Sequence, residues 1–156
     1  MKVARWMTAV AGIAFVLSGQ APDRALGAVG DPEVILYRFT GVRDNTGSSA
    51  TVFHCTNFSG VTETIRIVVR DSLAGVVANF AQPLNHLETI TFATHNVTLY
   101  AHLSLATGFI AQGTAAIAAT SASFVCTAMT IDAASSSPVG IALHGIRFSP
   151  LPGTQE

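Results

Sequence analysis

The chain has 156 residues, a formal net charge of −1 and 49% hydrophobic residues, which suits one domain with a single core. Its only lysine is Lys2, and beyond residue 27 five arginines stand against eight acidic residues, a net charge of −3. Because nucleic-acid binding requires clustered basic side chains, this composition argues against a nucleic-acid partner.

The amino-terminal residues have the order of a secretory signal peptide. Two basic residues precede an uncharged apolar run from Trp6 to Leu17, and small and polar residues follow it. The run is short for a permanent membrane helix, which needs about 20 apolar residues, so an uncleaved anchor is the lesser alternative. We expect cleavage before Ala28, which removes residues 1–27 and leaves residues 28–156 as a mature domain without a membrane span. The lysine-free, alanine-rich mature part indicates a bacterial protein of the periplasm or the cell exterior.

The rest of the chain shows short runs of Val, Ile, Thr, Phe and Tyr separated by Gly, Pro, Asn, Asp and Ser. This pattern is typical of strands joined by turns, and no window sustains a helical period. The predicted strands are 33–42, 50–58, 62–70, 75–80, 87–94, 97–105, 113–120, 123–131 and 139–148. Regularly spaced short strands predict an all-β domain, an antiparallel β-sandwich.

Local signals refine this prediction. Asp71 to Gly75 is predicted as a hairpin connection, and the segment from Gln82 to His86 as a crossing between sheets. The alanine-rich stretch 115–122 would suit a helix, but its Ser and Thr content favours a strand of small residues. The apolar phase of the last strand changes at Gly145, which predicts a β-bulge there.

The two cysteines, Cys55 and Cys126, are in phase with inward-facing phenylalanines, Phe53 and Phe124. An even number of cysteines in an exported chain predicts a disulfide, and two buried free thiols are the alternative. A bridge between facing sheets is similar to that of immunoglobulin-like domains, although the tryptophan of that fold is absent because Trp6 lies in the leader. The resemblance implies an architecture and an inter-sheet bridge, but no activity.

Five histidines are candidate metal ligands because imidazole is the commonest transition-metal ligand in proteins. They are His54, His86, His95, His102 and His144. Their spacing matches no metal motif, and His54 beside Cys55 would suggest copper or zinc only if the thiol were free. We keep His86, His95 and His102 as candidates for a surface metal site, with ordinary surface or turn positions as the alternative.

No motif of nucleophilic, metal-dependent or phosphate-binding catalysis occurs, so we predict no catalytic residue and no cofactor. Several strands carry apolar residues on the face expected to be wet, namely Val34, Leu36, Val52, Val68 and Tyr100. Either the faces are assigned one residue out of phase, or a sheet face or edge binds a protein partner or a second copy. The sequence therefore favours a non-enzymatic exported binding or structural module, with a periplasmic metal-binding protein as the alternative.

Overall fold

The computed structural model describes residues 32–100 and 103–148, and every regular element in these ranges is a β-strand. The strands are β1 (Val34–Asp44), β2 (Ser49–Asn57), β3 (Glu63–Arg70), β4 (Val76–Leu84), β5 (Thr89–Ala93), β6 (Leu103–Ser104), β7 (Ile110–Ala119), β8 (Phe124–Asp132), β9 (Gly140–Ala142) and β10 (Gly145–Arg147). Within these residues there is no helix able to cross a membrane. The predicted signal peptide, residues 1–27, and its cleavage before Ala28 lie outside the described residues.

All ten strands belong to one mixed sheet with the order β4-β3-β7-β1-β2-β5-β6, while β10 pairs with β1, and β8 pairs with β2 and β9. Every pairing is antiparallel except the one between β5 and β6. β1 and β2 share a single residue pair, Asp44 with Ala50, so the sheet divides there into two halves of five strands. The halves curl towards each other and form a half-barrel. The all-β prediction is confirmed in this form.

The main core lies between the two halves. Phe39 of β1 and Phe53 of β2 are fully buried, with their ring centroids 5.6 Å apart. The predicted alternation in β3 is confirmed, because Ile65, Ile67 and Val69 are all fully buried in this core. Apolar side chains that alternate along strands of both halves therefore pack into one shared interior.

The two long sides of the half-barrel differ. On one side, Tyr37 of β1 donates its hydroxyl to the Phe124 carbonyl of β8 at 3.3 Å. On the same side, the Arg147 guanidinium of β10 donates to the Ala122 carbonyl at 2.8 Å. The opposite side is bordered by β4 and β6, the two ends of the strand order. The half-barrel is thus tied together along one side, and its other side is bordered by two strands that each pair with one neighbour among the described strands.

The outer faces of the sheet carry two smaller apolar clusters. One contains Val52 and Val97 with Tyr100 packed against it, and the other contains Ile35 and Val68 with Phe148 packed against it. The apolar residues that were expected on a solvent-exposed face are therefore packed in apolar clusters. Leu36 belongs to the main core because a register shift between Ile35 and Tyr37 changes the phase of β1, and Val34 also packs there.

The predicted strand 97–105 and the predicted end of the strand 75–80 were wrong. Among its described residues, the predicted strand 97–105 has strand structure only at β6, and residues 94–100 instead form an irregular segment over the outer face of β2. β4 extends through Pro83 to Leu84, so Gln82 and Pro83 do not cross between sheets. Proline is tolerated in β4 because an edge strand needs no second hydrogen-bonding partner for that nitrogen.

The predicted strand 139–148 is divided in two. β9 pairs with β8 in one half of the sheet, whereas β10 pairs with β1 in the other. Gly145 therefore marks the passage between halves, not a bulge within one strand. A Cβ atom at this position would collide with the Phe39 ring, which explains the need for glycine.

The predicted hairpin and the alanine-rich strand are confirmed. The Asp71 amide donates to the Gly75 carbonyl at 3.0 Å, and the Asp71 carboxylate accepts from the Leu73 and Gly75 amides. The alanines from 115 to 119 lie in β7, which is flanked by β3 and β1 and buried on both faces. Small side chains suit a strand that packs on the main core and on an outer cluster at once.

The Cys55–Cys126 disulfide is present, but the predicted inter-sheet position was wrong. The two cysteines are directly opposite each other in the antiparallel register of β2 and β8, with Cα atoms 4.2 Å apart. Such a separation is typical of a non-hydrogen-bonded antiparallel pair. Both cysteines face the core, as their phase predicted, but on neighbouring strands of the same half.

Candidate functional site

A buried polar cluster lies at the corner where β1 turns into β2. Asp44, the last residue of β1, is completely buried, and its Oδ1 atom accepts from the Thr46 amide at 2.7 Å. The same oxygen lies 2.8 Å from Nδ1 of His95, and Oδ2 accepts from the Thr107 hydroxyl at 2.9 Å. One carboxylate therefore joins the β1–β2 loop, the segment after β5 and the loop before β7.

The cluster continues into the backbone of the same corner. The Thr94 hydroxyl donates to the Arg43 carbonyl at 3.3 Å and accepts from the Thr51 amide at 3.0 Å. The Thr51 hydroxyl donates to the same carbonyl at 3.0 Å and accepts from the Arg43 amide at 2.9 Å. Buried polar groups are expected to be hydrogen-bonded in this way, because an unpaired one is costly.

An aspartate beside a histidine is one half of a nucleophilic catalytic arrangement, which also needs a hydroxyl or thiol on the other ring nitrogen. Here the Thr107 hydroxyl is bonded to Asp44 and not to His95. The Thr107 hydroxyl and the His95 imidazole thus share the Asp44 carboxylate. We call this cluster a structural clamp because its contacts join three separate segments of the chain. The sequence carried no signal for it, because Asp44, His95 and Thr107 are far apart in the chain and belong to no recognised motif.

The structure does not bring the candidate metal ligands together. His86 lies in the turn before β5, where its Nδ1 accepts from the Gly60 amide at 3.1 Å, and His95 lies beyond the other end of β5. His102 lies outside the described residues. Among the residues that are described, no group of three or more His, Cys, Asp and Glu side chains is arranged to hold a metal ion.

The remaining histidines are also separate. His54 lies on β2, where Nδ1 is 2.9 Å from the Thr91 hydroxyl and its ring centroid is 5.0 Å from that of Tyr100. Its neighbour Cys55 is held in the disulfide and offers no thiolate to a metal. His144 is exposed between β9 and β10.

A different feature distinguishes the open side of the half-barrel. β4 has nine residues and pairs with β3 alone among the described strands. An unpaired strand edge presents a row of amide and carbonyl groups to any extended chain, and proteins commonly protect it with charge, proline or a bulge. From Val76 to Leu84 there is no ionisable side chain, Pro83 stands near one end, and a register shift against β3 places a bulge at Val77 near the other end. β4 is therefore a long, uncharged edge.

The side chains next to this edge leave part of the core uncovered. Val77, Ala78 and Phe80 are only half-buried although they pack on the main core. The Phe80 ring reaches across to Phe92 of β5 at a centroid distance of 6.2 Å. Beyond β5, Leu103 is also half-buried on the same core. An extended chain added to β4 would cover these apolar groups.

The chain matches no protein-family model, no curated protein and no solved structure. The assignment of a site therefore depends on this geometry.

Two open surface depressions of about 340 and 350 Å³ flank Gly41. In the first, the Arg70 guanidinium is bonded to the Ala74 carbonyl at 2.9 Å, and the Asp71 carboxylate is bonded to its own turn. In the second, Arg43 is the single charged residue of the lining. Neither depression gathers several polar groups towards one point, as small-molecule sites do, so the β4 edge is the stronger candidate.

Proposed function

We propose that the mature chain is an exported, non-enzymatic binding or structural module that acts by adding an extended strand to β4. The observation that carries this proposal is β4, which has nine residues and no ionisable side chain, pairs with β3 alone among the described strands, and lies beside a partly uncovered core. In strand addition, backbone hydrogen bonds supply affinity and side chains on alternate positions supply specificity.

The disulfide supports the export part of the proposal. Disulfides persist in oxidising compartments and are rare in the cytosol of most organisms. The Cys55–Cys126 bridge closes a loop between residues that are 71 positions apart. Together with the predicted leader at residues 1–27, it supports a periplasmic or extracellular location.

The contacts of the polar residues support a binding role over a catalytic one. In the Asp44 corner, each carboxylate oxygen is already bonded within the protein, and His95 has no nucleophile bonded to it among the described residues. The metal-binding alternative gains no support from the positions of His86 and His95 at opposite ends of β5. Metal analysis of protein purified without chelators tests it directly, and stoichiometric copper or zinc would restore it.

The export part is tested by expressing the full chain in a bacterial host and measuring the intact mass of the exported fraction under non-reducing conditions. We expect residues 28–156, about 2 Da lighter than the reduced chain because one disulfide is formed. A chain that stays in the cytoplasm with both thiols reduced would contradict the proposal.

The binding part is tested with a panel of labelled seven-residue peptides whose apolar side chains alternate. We expect some of them to bind the mature protein and to protect β4 amides from hydrogen exchange. Ala81→Lys should abolish this binding, because a lysine on the edge opposes strand addition. Thr127→Lys is the matched control, since Thr127 is an exposed residue of β8 in the other half of the sheet. Peptides that bind both variants equally, or no peptide at all, would count against strand addition.

A further inference from the structure

We infer that one end of the half-barrel is a second binding surface, which takes an apolar segment of a protein partner flanked by Lys or Arg. The surface is formed by two turns, residues 58–62 after β2 and residues 85–88 after β4. Its apolar residues are Phe58, Val61 and Leu87, which together we call the apolar end. It goes beyond the proposed function, because none of these residues belongs to β4.

The apolar end exposes three large side chains in turns, where polar residues usually stand. The exposed fractions of Phe58, Val61 and Leu87 are 51%, 59% and 61%. The two turns are joined directly, since the Leu87 amide donates to the Asn57 carbonyl at 2.7 Å. Exposed apolar residues that are scattered singly are ordinary, whereas a group on adjoining turns is typical of an interaction site.

Hydrogen bonds hold the first of these turns in a fixed shape. The Asn57 side chain is fully buried and donates to the Val61 and Leu84 carbonyls, at 2.8 Å each. It also accepts from the Ser59 amide at 2.9 Å. Because residues that are already ordered lose less conformational entropy on association, this turn is preorganised for binding.

The backbone of the second turn gives independent support. Leu87 is held in the left-handed region, with a φ of 64°, which glycine and asparagine adopt with less strain. Leu87 is not part of the main core or of the two outer apolar clusters. Packing within the fold therefore does not explain a leucine at this strained position, whereas contact with a partner does.

Two acidic residues flank the apolar end and select the partner. Glu63 follows one turn and Glu88 ends the other, where they accept from the Thr120 hydroxyl and the Asn85 amide. Neither carboxylate forms an ion pair with another described residue. Since complementary charge favours association and like charge opposes it, a partner with Lys or Arg beside its apolar residues fits this surface.

Two basic side chains of the same half of the sheet do not neutralise these carboxylates. Arg66 is paired with Glu33, and Arg147 donates to the Ala122 carbonyl. A second copy would bring the same carboxylates face to face, and a membrane with anionic lipids would repel them. A basic, apolar protein segment is therefore favoured over both.

The test uses a synthetic amphipathic peptide of leucine and lysine, with a leucine and glutamate peptide of the same pattern as its control. We expect calorimetry to show that the first peptide binds the mature, disulfide-intact protein, and hydrogen exchange to show protection of residues 58–62 and 85–88. The second peptide should bind at least about tenfold more weakly. No binding of the first peptide, or equal binding of both, would overturn the inference.

Leu87→Asn is the variant that tests the apolar contact, because asparagine suits the left-handed backbone and removes the apolar side chain. It should leave the unfolding midpoint unchanged or higher and weaken binding of the leucine and lysine peptide at least about tenfold. Leu73→Asn is the matched control, since Leu73 is 89% exposed in the hairpin at the other end of β4. Equal losses of binding in the two variants would overturn the inference.

The charges and the location are tested separately. Replacing Glu63 and Glu88 together by glutamine keeps their hydrogen-bond acceptors and should reduce both the affinity and its dependence on salt. Ala81→Lys, on β4, should leave binding of this peptide unchanged. A peptide that is lost in Ala81→Lys but not in Leu87→Asn would overturn the inference and leave the proposed function intact. Binding to phosphatidylcholine vesicles in place of the peptide would assign the apolar end to a membrane and would also overturn it.

Discussion

The Cα atoms of Cys55 and Cys126 lie 4.2 Å apart on directly paired strands, although 71 residues separate the two in sequence. The disulfide therefore joins β2 to β8 within one half of the half-barrel. It does not hold the two halves together; these meet through apolar packing such as that of Phe39 against Phe53 and through the hydrogen bonds of Tyr37 and Arg147. Its stabilising effect must come chiefly from restricting the unfolded chain.

We expect Cys55→Ala to lower the free energy of unfolding by about 2 to 5 kcal/mol, the usual cost of losing a native disulfide in a small exported domain. Closure of such a long loop accounts for on the order of 4 kcal/mol. Denaturant unfolding under non-reducing conditions measures the change. The double variant, in which Cys126 is also alanine, is the control for effects of an unpaired thiol. An unchanged midpoint in both variants would show that the bridge adds no stability.

We expect Asp44→Ala to be among the most destabilising polar substitutions, at about 2 to 4 kcal/mol, because it leaves several buried polar groups without a partner. Removing the carboxylate leaves the Thr46 amide, the Thr107 hydroxyl and the His95 ring without their shared partner in a buried corner, and orphaned buried groups carry their full desolvation cost. Thermal and denaturant unfolding would measure the loss. Asp132→Ala is the control, because Asp132 is exposed and should change stability by less than about 0.5 kcal/mol. Equal losses of stability in the two variants would contradict the structural role of the Asp44 cluster.

Asn57 is a second buried polar residue that joins distant segments. Its amide nitrogen donates to the Val61 and Leu84 carbonyls, at 2.8 Å each, and its Oδ1 accepts from the Ser59 amide at 2.9 Å. We expect Asn57→Ala to cost about 1 to 3 kcal/mol, because these groups lose their partner away from water. Hydrogen exchange should also accelerate at the turn after β2. The same substitution at the exposed Asn96 should have little effect, and a comparable loss there would argue against this assignment.

Gly145 offers a test of how the chain passes from one half of the sheet to the other. A Cβ atom there would enter the space of the Phe39 ring in the main core, so we expect Gly145→Ala to destabilise the fold by about 1 to 3 kcal/mol through overpacking. Gly47→Ala is the matched control, since a Cβ at Gly47 would have no heavy atom nearer than 3.9 Å. Calorimetry of the two variants compares them directly, and a neutral Gly145→Ala would show that Phe39 can move aside.

Features that depend on neighbouring residues in the sequence were predictable. The alternation of Ile65, Ile67 and Val69 located β3 and its buried face, and the turn from Asp71 to Gly75 located the hairpin that follows. In contrast, the apolar residues near 97–105 alternate like a strand, yet Val97 and Tyr100 belong to a segment that covers the outer face of β2. Alternating apolar residues indicate that one face of a segment is buried. A loop that covers a sheet can be buried in the same way without pairing as a strand.

The candidate site was only partly predictable. A free edge or face for a partner was expected, but it was sought among residues such as Val52 and Val68, which the structure covers. The long strand at the end of the described strand order is β4, whose composition differs little from that of an interior strand such as β7. Whether a strand ends a sheet depends on which strands pair, and strand pairing is a property of the whole chain.

By itself the sequence determined the all-β class, most strand positions and the inward phase of both cysteines, because side-chain period and turn chemistry act over a few residues. Only the tertiary structure decided that Cys55 and Cys126 are lateral neighbours, that Asp44 meets His95 across 51 positions, and that β4 ends the sheet. Each of these features depends on contacts between distant segments. Many strand pairings are compatible with the same local sequence pattern, and the arrangement with the best packing is the one adopted.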